Sequence, residues 1–263
     1  MKRNLAARAA ETEVEAGKPW LAIAIGNSRV LWGLWQGETL QRWNRNEIAP
    51  DVEFDRQIQV AGDRVWMAAV GRLAPVLEQW PQLRDARSLK LADTSLAEVY
   101  DTLGLDRALA LMGAAALWGW PILVIDGGTA LTVSAADEAG VFVGGAIAPG
   151  LALQARSLHT STAALPDFDY SYLESVERWA RTTAGAIASG VVLGAIATVR
   201  SFCDDWRRHY PEGAIAFTGG DGKLLHDLAQ IPNSYNEPTL VLRGIAECRA
   251  LRERKPSVKQ SDG

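Results

Sequence analysis

Two strand-turn segments carry the residue types of a phosphate-binding site. In ILVIDGGTALTV (122–133), Asp126 ends an apolar run, two glycines follow it, and Thr129 supplies a hydroxyl. Glycines in such a turn let backbone N–H groups approach an anion closely, because no Cβ stands in the way. A carboxylate beside a phosphate needs a cation between the two negative charges, since they repel each other. The segment predicts a phosphate turn with a bound cation; the alternative is an ordinary Asp-Gly hairpin.

A second segment, AIAIGNSRVLWG (22–33), has the same design without the acid. Its turn residues are Gly26, Asn27 and Ser28. Arg29 follows them and is long enough to reach a phosphate, but alanine occupies position 24, where the acid would stand. The turn is a weak signal alone. Two such turns in one chain indicate an internal repeat that presents two phosphate hairpins to one ligand.

Three other segments add candidate chemistry. GLDR (104–107) places a carboxylate and a guanidinium next to each other before an apolar helix. This arrangement suits a general base beside a clamp for an anionic substrate, and the alternative is a helix N-cap. GGAIAPG (144–150) and FTGGDG (217–222) are rich in glycine. Such backbone suits close approach to an anion, a base or a ribose, and equally suits tight packing or a surface turn.

Alternating strands and helices must position these segments. The apolar patterns predict a β-meander from Trp20, strands at 64–70 and near residue 90, and a helix that ends before Pro81. The remaining predicted elements are a helix at 106–120, a strand-turn-strand-hairpin-strand unit at 122–150, helices at 150–160 and 174–208, a strand before the turn at 218–222, a helix near 222–230 and a final helix from Pro238.

Two meander-plus-helix halves predict an α/β chain with a ligand cleft between two similar domains. The expected boundaries are a disordered tail at 1–18, domains at 19–118 and 119–252, and a second disordered tail at 253–263. The length of 263 residues is sufficient for two cores of this size.

Composition narrows the class of function. The chain has 48% apolar and 22% charged residues and no unbroken apolar run of membrane-spanning length, which predicts a globular protein outside the membrane. A formal net charge of −4 argues against a general nucleic-acid binder. Two cysteines without CxxC spacing and three scattered histidines indicate neither a disulfide framework nor a zinc site. No secretion signal is recognised, so we expect a cytoplasmic location.

In this order, the motifs resemble those of type III pantothenate kinases, a bacterial family of the acetate kinase, sugar kinase, heat-shock protein and actin superfamily. IGNSR stands where the family has D-x-G-N-T/S, GLDR where it has G-x-D-R, and IDGGTALT where it has D-x-G-T-A-x-T. GGAIAPG followed by TAALP, then TTAGAIASG, and finally TGGDG match the later family motifs over about 230 residues. The resemblance implies two actin-like (ribonuclease H-like) domains with a nucleotide cleft between them.

The resemblance further implies ATP-dependent phosphorylation of pantothenate to 4′-phosphopantothenate, the first step of coenzyme A biosynthesis, by a homodimer. It implies that Asp106 is the general base and that Asp126 ligates a monovalent cation, K⁺ or NH₄⁺, while Mg²⁺ arrives with ATP. The residues implied to contact ATP are Gly26, Asn27, Ser28, Thr129, Gly219 and Gly220. The residues implied to contact pantothenate are Tyr100, Gly104, Leu105, Asp106, Arg107 and Thr183.

Ala24 departs from the family pattern, which has an aspartate near the metal and phosphates. Loss of a metal-associated carboxylate could cost several kcal/mol of transition-state stabilisation. Three hypotheses follow from this departure. The chain is an active kinase whose Mg²⁺ is held by ATP oxygens and water, a nucleotide-binding regulatory homologue without turnover, or a kinase of another small hydroxyl substrate.

Overall fold

The computed structural model describes residues 17–49, 51–71, 73–167 and 176–254. The tails expected at 1–18 and 253–263 fall almost entirely outside these ranges. Contacts divide the chain into two compact units, each of which includes more than one segment. The first unit comprises Met1–Ser95, Thr102–Leu109 and Val241–Gly263, and the second comprises Leu96–Asp101 and Ala110–Leu240.

The first unit is built on a five-stranded mixed sheet with the order β3-β2-β1-β4-β5. Its strands are β1 Pro19–Ile25, β2 Arg29–Gln36, β3 Thr39–Glu47, β4 Val65–Ala69 and β5 Arg87–Ser88. The central strand β1 is apolar along its whole length because both of its faces are covered, whereas the edge strand β3 is polar and largely exposed. β1 runs antiparallel to β2 and parallel to β4.

Helices cover both faces of this sheet. Helix α1 (Val52–Ala61) begins at Asp51, whose carboxylate accepts the N–H groups of Glu53 and Phe54 at 2.9 and 3.2 Å. Helix α2 is Leu73–Gln79, and Phe54 packs edge-on against Trp80 in the core at 4.8 Å between ring centroids. Helix α7 (Leu240–Arg254) also belongs mainly to the first unit, where its Arg249 stacks over Trp20.

The second unit repeats the design with the sheet order β10-β9-β6-β7-β8. Its strands are β6 Ile122–Gly127, β7 Ala130–Ala136, β8 Phe142–Pro149, β9 Ala214–Gly219 and β10 Ser234–Asn236. β6 runs antiparallel to β7 and parallel to β9. β1 has the same relation to β2 and β4 in the first sheet. The α/β class and the internal repeat predicted from the two turns are confirmed.

Within the described residues, three helices and part of a fourth complete the second unit. They are α4 Leu151–Ser161, α5 Thr183–His209, α6 Gly222–Ala229 and the second half of α3 Leu105–Trp118. By length and composition α5 could cross a membrane, but its apolar side packs into the second core beside β6, β7 and β9, with Val192, Val199 and Cys203 fully buried. This contact pattern is that of a core helix.

Several predicted elements differ in detail from the structure. The strand predicted near residue 90 is only Arg87–Ser88, followed by a 3₁₀ turn at Leu91–Asp93, because the Asp93 carboxylate accepts the Lys90 N–H at 2.7 Å. Helix α5 begins at Thr183 instead of near residue 174, since the Thr182 hydroxyl accepts the Gly185 N–H at 3.1 Å and caps the helix there. Helix α1 and the short strand β10 were not predicted.

Candidate active site

The turn between β6 and β7 holds the predicted acid of the second unit. Asp126 is half-buried at the end of β6, and Thr129 is exposed in the turn. Gly128 donates its N–H to the Ala130 carbonyl at 3.0 Å and so closes the turn. We call Asp126–Thr129 the second hairpin turn.

The glycine loop after β9 lies directly beside this turn. β6 and β9 are parallel and in register, with Asp126 opposite Thr218 and Gly127 opposite Gly219. The Asp221 N–H donates to the Gly127 carbonyl at 2.8 Å, and helix α6 begins at the next residue. The structure therefore brings together the segments predicted to bind phosphate and nucleotide in the second unit.

Gly219 cannot carry a side chain in this arrangement. A Cβ on it would lie 2.3 Å from Asp126 Oδ1 and 2.3 Å from the Gly127 carbonyl oxygen. Its φ of +91° is also outside the range that other residues adopt without strain. The glycine is required because the loop backbone fills the space next to the carboxylate.

A third glycine-rich segment ends at the same turn. Gly150 donates its N–H to the Thr129 carbonyl at 3.0 Å, and a Cβ on it would lie 2.1 Å from the Gly128 carbonyl oxygen. Helix α4 begins at Leu151, so its positive N-terminal end adjoins the second hairpin turn. Backbone N–H groups and a helix N-terminus in one place favour an anionic ligand.

The surroundings of Asp126 suit an oxygen-coordinated cation. Thr132 of β7 and Thr218 of β9 are its two cross-strand partners, so two hydroxyl side chains flank the carboxylate in register. Carboxylate and hydroxyl oxygens are ligands for hard cations. Within the residues that the structure describes, no group of three or more His, Cys, Asp or Glu side chains could hold a metal ion. A cation here would therefore be held by one carboxylate, neutral oxygens and the ligand itself.

The turn between β1 and β2 occupies the corresponding place in the first unit and is one residue longer. Gly26 donates its N–H to the Arg29 carbonyl at 2.9 Å, while Asn27 and Ser28 are exposed. Gly71, after β4, lies so close that a Cβ on it would overlap the Gly26 carbonyl oxygen, and its N–H donates to the Ile25 carbonyl. We call Gly26–Ser28 the first hairpin turn.

The GLDR segment forms the start of helix α3 in the first unit. Asp106 lies in the first helical turn, half-buried, and its Oδ1 accepts the Arg107 N–H at 2.9 Å. A Cβ on Gly104 would lie 2.5 Å from the same oxygen, so glycine leaves room for this carboxylate. Leu105 is the first residue of the helix, and Arg107 is only 7% exposed. The helix start thus fixes the orientation of the predicted base.

Tyr100 and Thr183 belong to the second unit. Tyr100 is 47% exposed and packs edge-on against Phe142 of β8 at 5.8 Å between ring centroids. Its loop is held to that sheet, because Ala97 donates its N–H to the Gly140 carbonyl and accepts the Phe142 N–H. Thr183 is the exposed first residue of α5. The predicted substrate residues are thus distributed over both units.

Comparison with known proteins gives the family. Residues 81–205 match the family described as type III pantothenate kinase. The type III pantothenate kinase of Synechococcus sp. (strain JA-3-3Ab) is 43% identical over 243 residues, which cover 90% of this chain and 96% of the relative. That of Gloeobacter violaceus is 46% identical over 241 residues, which cover 89% of this chain and 98% of the relative.

The chain belongs to the type III pantothenate kinase family. This membership makes it a kinase and confirms the resemblance seen in the motifs. A solved structure from Campylobacter jejuni, described as a Baf family transcriptional activator, matches it with a TM-score of 0.62 at 19% identity, covering 89% of this chain and 100% of that chain. That likeness concerns the fold alone.

Other reactive groups of this kinase have structural roles. Cys203 and Cys248 are fully buried, and burial raises the pKa of each thiol to about 12, so neither is a thiolate nucleophile near neutral pH. The His226 ring packs edge-on against Phe217 at 5.3 Å between centroids.

The motif analysis missed Gly71, which supports the first hairpin turn. Thr218 and Asp221 adjoin the second hairpin turn; they lie in the FTGGDG segment but were not predicted as site residues. The internal repeat is the signal that could have found them, because Gly71 and Asp221 occupy the same place relative to the two meanders. Each donates its N–H to the carbonyl of the residue that ends the first strand, Ile25 or Gly127.

Proposed function

We propose that this chain phosphorylates pantothenate to 4′-phosphopantothenate with ATP, as a type III pantothenate kinase. The observation that carries the proposal is the convergence of three glycine segments on the second hairpin turn. The IDGGT turn, the loop at Gly219 and Gly220, and Gly150 meet there next to the Asp126 carboxylate. Close-packed backbone with a carboxylate beside it suits a polyphosphate accompanied by a cation.

The assigned roles follow the chemistry of phosphoryl transfer. The pantothenate hydroxyl oxygen attacks the γ-phosphorus of ATP. The bond between that phosphorus and the β,γ-bridging oxygen breaks, and ADP leaves. Asp106 accepts the hydroxyl proton, and its fixed orientation at the start of α3 supports this role. Arg107 faces the pantothenate carboxylate, while Tyr100, Gly104, Leu105 and Thr183 complete the substrate contacts. Positioning and charge neutralisation account for most of the rate enhancement in such reactions.

Two kinds of cation belong to the proposal. K⁺ or NH₄⁺ binds at Asp126, where the hydroxyls of Thr132 and Thr218 provide neutral oxygen neighbours. Mg²⁺ arrives with ATP and neutralises charge on the phosphates. Gly26, Asn27, Ser28 and Thr129 contact the phosphate chain, and Gly219 and Gly220 contact the nucleoside. Each of these residues lies at a hairpin turn or in the loop beside it.

The assembly that we propose is a homodimer in the cytoplasm, without a membrane or nucleic-acid partner. The exposed face of the edge strand β8 supports it. Val143 and Ile147, on the same side of β8, are 54% and 66% exposed. A monomer rarely leaves apolar side chains in a row along a sheet edge, whereas a second copy would cover them.

The decisive experiment is a coupled kinase assay with ATP, Mg²⁺, KCl and pantothenate, on the wild type and on Asp106→Asn. The wild type should release ADP and phosphopantothenate in equal amounts. The variant should lose about 100-fold or more of kcat while ATP affinity stays within about twofold, because the amide keeps the shape but accepts no proton. Full activity of Asp106→Asn would contradict the base assignment.

The same assay separates the alternative functions. ATP binding by the wild type without any product would indicate a regulatory homologue. Turnover of another hydroxyl compound, but not of pantothenate, would indicate a kinase of different specificity. Equal amounts of ADP and phosphopantothenate from the wild type exclude both alternatives.

A further inference from the structure

The two hairpins occupy the same place in their sheets and carry opposite charge, although the first turn is one residue longer. Between Pro19 and Gln36 the only charged residue is Arg29, and between Ile122 and Ala136 the only charged residue is Asp126. The repeat places Ala24 where the second hairpin has Asp126, since both lie opposite the second strand of their meander at corresponding register positions. The first hairpin has therefore exchanged a carboxylate for a guanidinium close to the turn.

The neighbours of Ala24 do not fit a protein-bound divalent metal. The cross-strand partners of Asp126 are the hydroxyl residues Thr132 and Thr218. The corresponding partners of Ala24 are Leu31 on β2 and Ala68 on β4. All three side chains at this place in the first sheet are hydrocarbon, so no side-chain oxygen is offered to Mg²⁺ there. Compared with the second hairpin, the first hairpin therefore lacks the two neighbouring hydroxyl groups as well as the carboxylate.

Arg29 is placed to act where that metal would have acted. Side chains alternate between the faces of a strand, and Ala24 pairs with Leu31, so Arg29 projects from the same face of the sheet as Ala24. Its backbone carbonyl closes the first hairpin turn, and its side chain is exposed at the turn. Glu47 is its cross-strand neighbour, yet no ion pair joins the two within the described residues. The guanidinium is thus available to an anion at the turn.

We propose that the first hairpin turn binds the phosphate chain through its backbone N–H groups and the Arg29 guanidinium, without a divalent metal held by the protein. An aspartate at position 24 would hold a metal ion, and that ion would bring positive charge to the phosphates. Arg29 supplies the positive charge itself. The divalent ion reaches the site only as part of the nucleotide. The inference rests on the proposed function for the identity of the phosphate ligand.

Nucleotide binding without divalent ions tests this assignment. Isothermal titration calorimetry in EDTA should show ATP binding to the wild type, and Arg29→Gln should weaken it about tenfold or more, since one charge-assisted contact is lost. AMP should bind both proteins equally, because it lacks the β- and γ-phosphates. The matched control is Arg42→Gln, an exposed arginine of the same sheet that pairs with Glu53, and it should bind ATP like the wild type.

Two further variants make the result specific. Arg29→Lys keeps the charge but not the planar fork, so it should retain more metal-free binding than Arg29→Gln. Ala24→Asp places a carboxylate on the same face as Arg29, and it should weaken metal-free ATP binding about tenfold while making binding depend on Mg²⁺. Circular dichroism checks that each variant is folded.

The outcomes are distinct from those of the kinase assay. Wild-type affinity of Arg29→Gln for metal-free ATP, or an equal loss of ATP and AMP binding, would overturn the role of Arg29. Metal-free ATP binding by Ala24→Asp at the wild-type level would equally overturn it. If pantothenate is not phosphorylated but these binding differences appear, the proposed function fails and the inference about the first hairpin turn holds.

Discussion

Replacing Gly219 by alanine should damage both stability and nucleotide binding. The new Cβ would lie 2.3 Å from Asp126 Oδ1, 2.3 Å from the Gly127 carbonyl oxygen and 2.7 Å from the carbonyl carbon. Two of these atoms are backbone atoms of β6, and a side-chain rotation cannot move them away. The strand end must therefore shift, and Asp126 must shift with it.

The magnitude has two parts. A non-glycine residue at a φ of +91° stores about 1–3 kcal/mol of backbone strain. Relief of the overlap with β6 adds about 1–3 kcal/mol, the usual cost of overpacking. The free energy of unfolding should thus fall by about 2–6 kcal/mol, and Tm by about 4 °C or more. ATP affinity should fall at least about tenfold, because Asp126, the proposed cation ligand, and the second hairpin turn are displaced together.

Differential scanning calorimetry and ATP titration measure the two effects. The matched control is Gly194→Ala, the same substitution in helix α5, where no atom lies within 4 Å of the added Cβ. This variant should keep ATP affinity and gain up to about 1 kcal/mol from helix propensity. A Gly219→Ala protein with wild-type Tm and wild-type ATP affinity would refute the close packing of the loop against Asp126.

Two further predictions concern the cation and the assembly. Replacing KCl by NaCl should lower the wild-type rate. Asp126→Asn should be slow in both salts, because the carboxylate proposed to distinguish K⁺ from Na⁺ is gone. An equal wild-type rate in both salts would count against a monovalent cation at Asp126. Val143→Lys combined with Ile147→Lys should convert the proposed dimer to a monomer in analytical ultracentrifugation, since charges would then replace the exposed apolar face of β8. A dimer that persists with unchanged affinity would place the interface elsewhere.

The sequence alone was sufficient for the order of elements and for the repeat. Apolar runs that end in glycine turns identified β1, β6 and β9, because a strand covered on both faces has an uninterrupted apolar sequence. The glycine turns were readable for a similar reason, since close approach of backbone excludes side chains. Helix α1 was missed although its sequence has an Asp51 N-cap and the helical spacing of Phe54, Ile58 and Ala61, and β10 was missed because three residues carry too little pattern.

Only the tertiary structure decided which segments meet. No spacing along the chain reveals that Gly219 abuts Asp126, because a crossover connection and parallel strand pairing join residues far apart in sequence. The same holds for α7, most of whose residues group with the first unit although α7 follows the second unit along the chain. The sequence by itself determined that position 24 lacks an acid. The register of β1 against β2 and β4 decided what that means, because it surrounds Ala24 with Leu31 and Ala68 and places Arg29 on the same face.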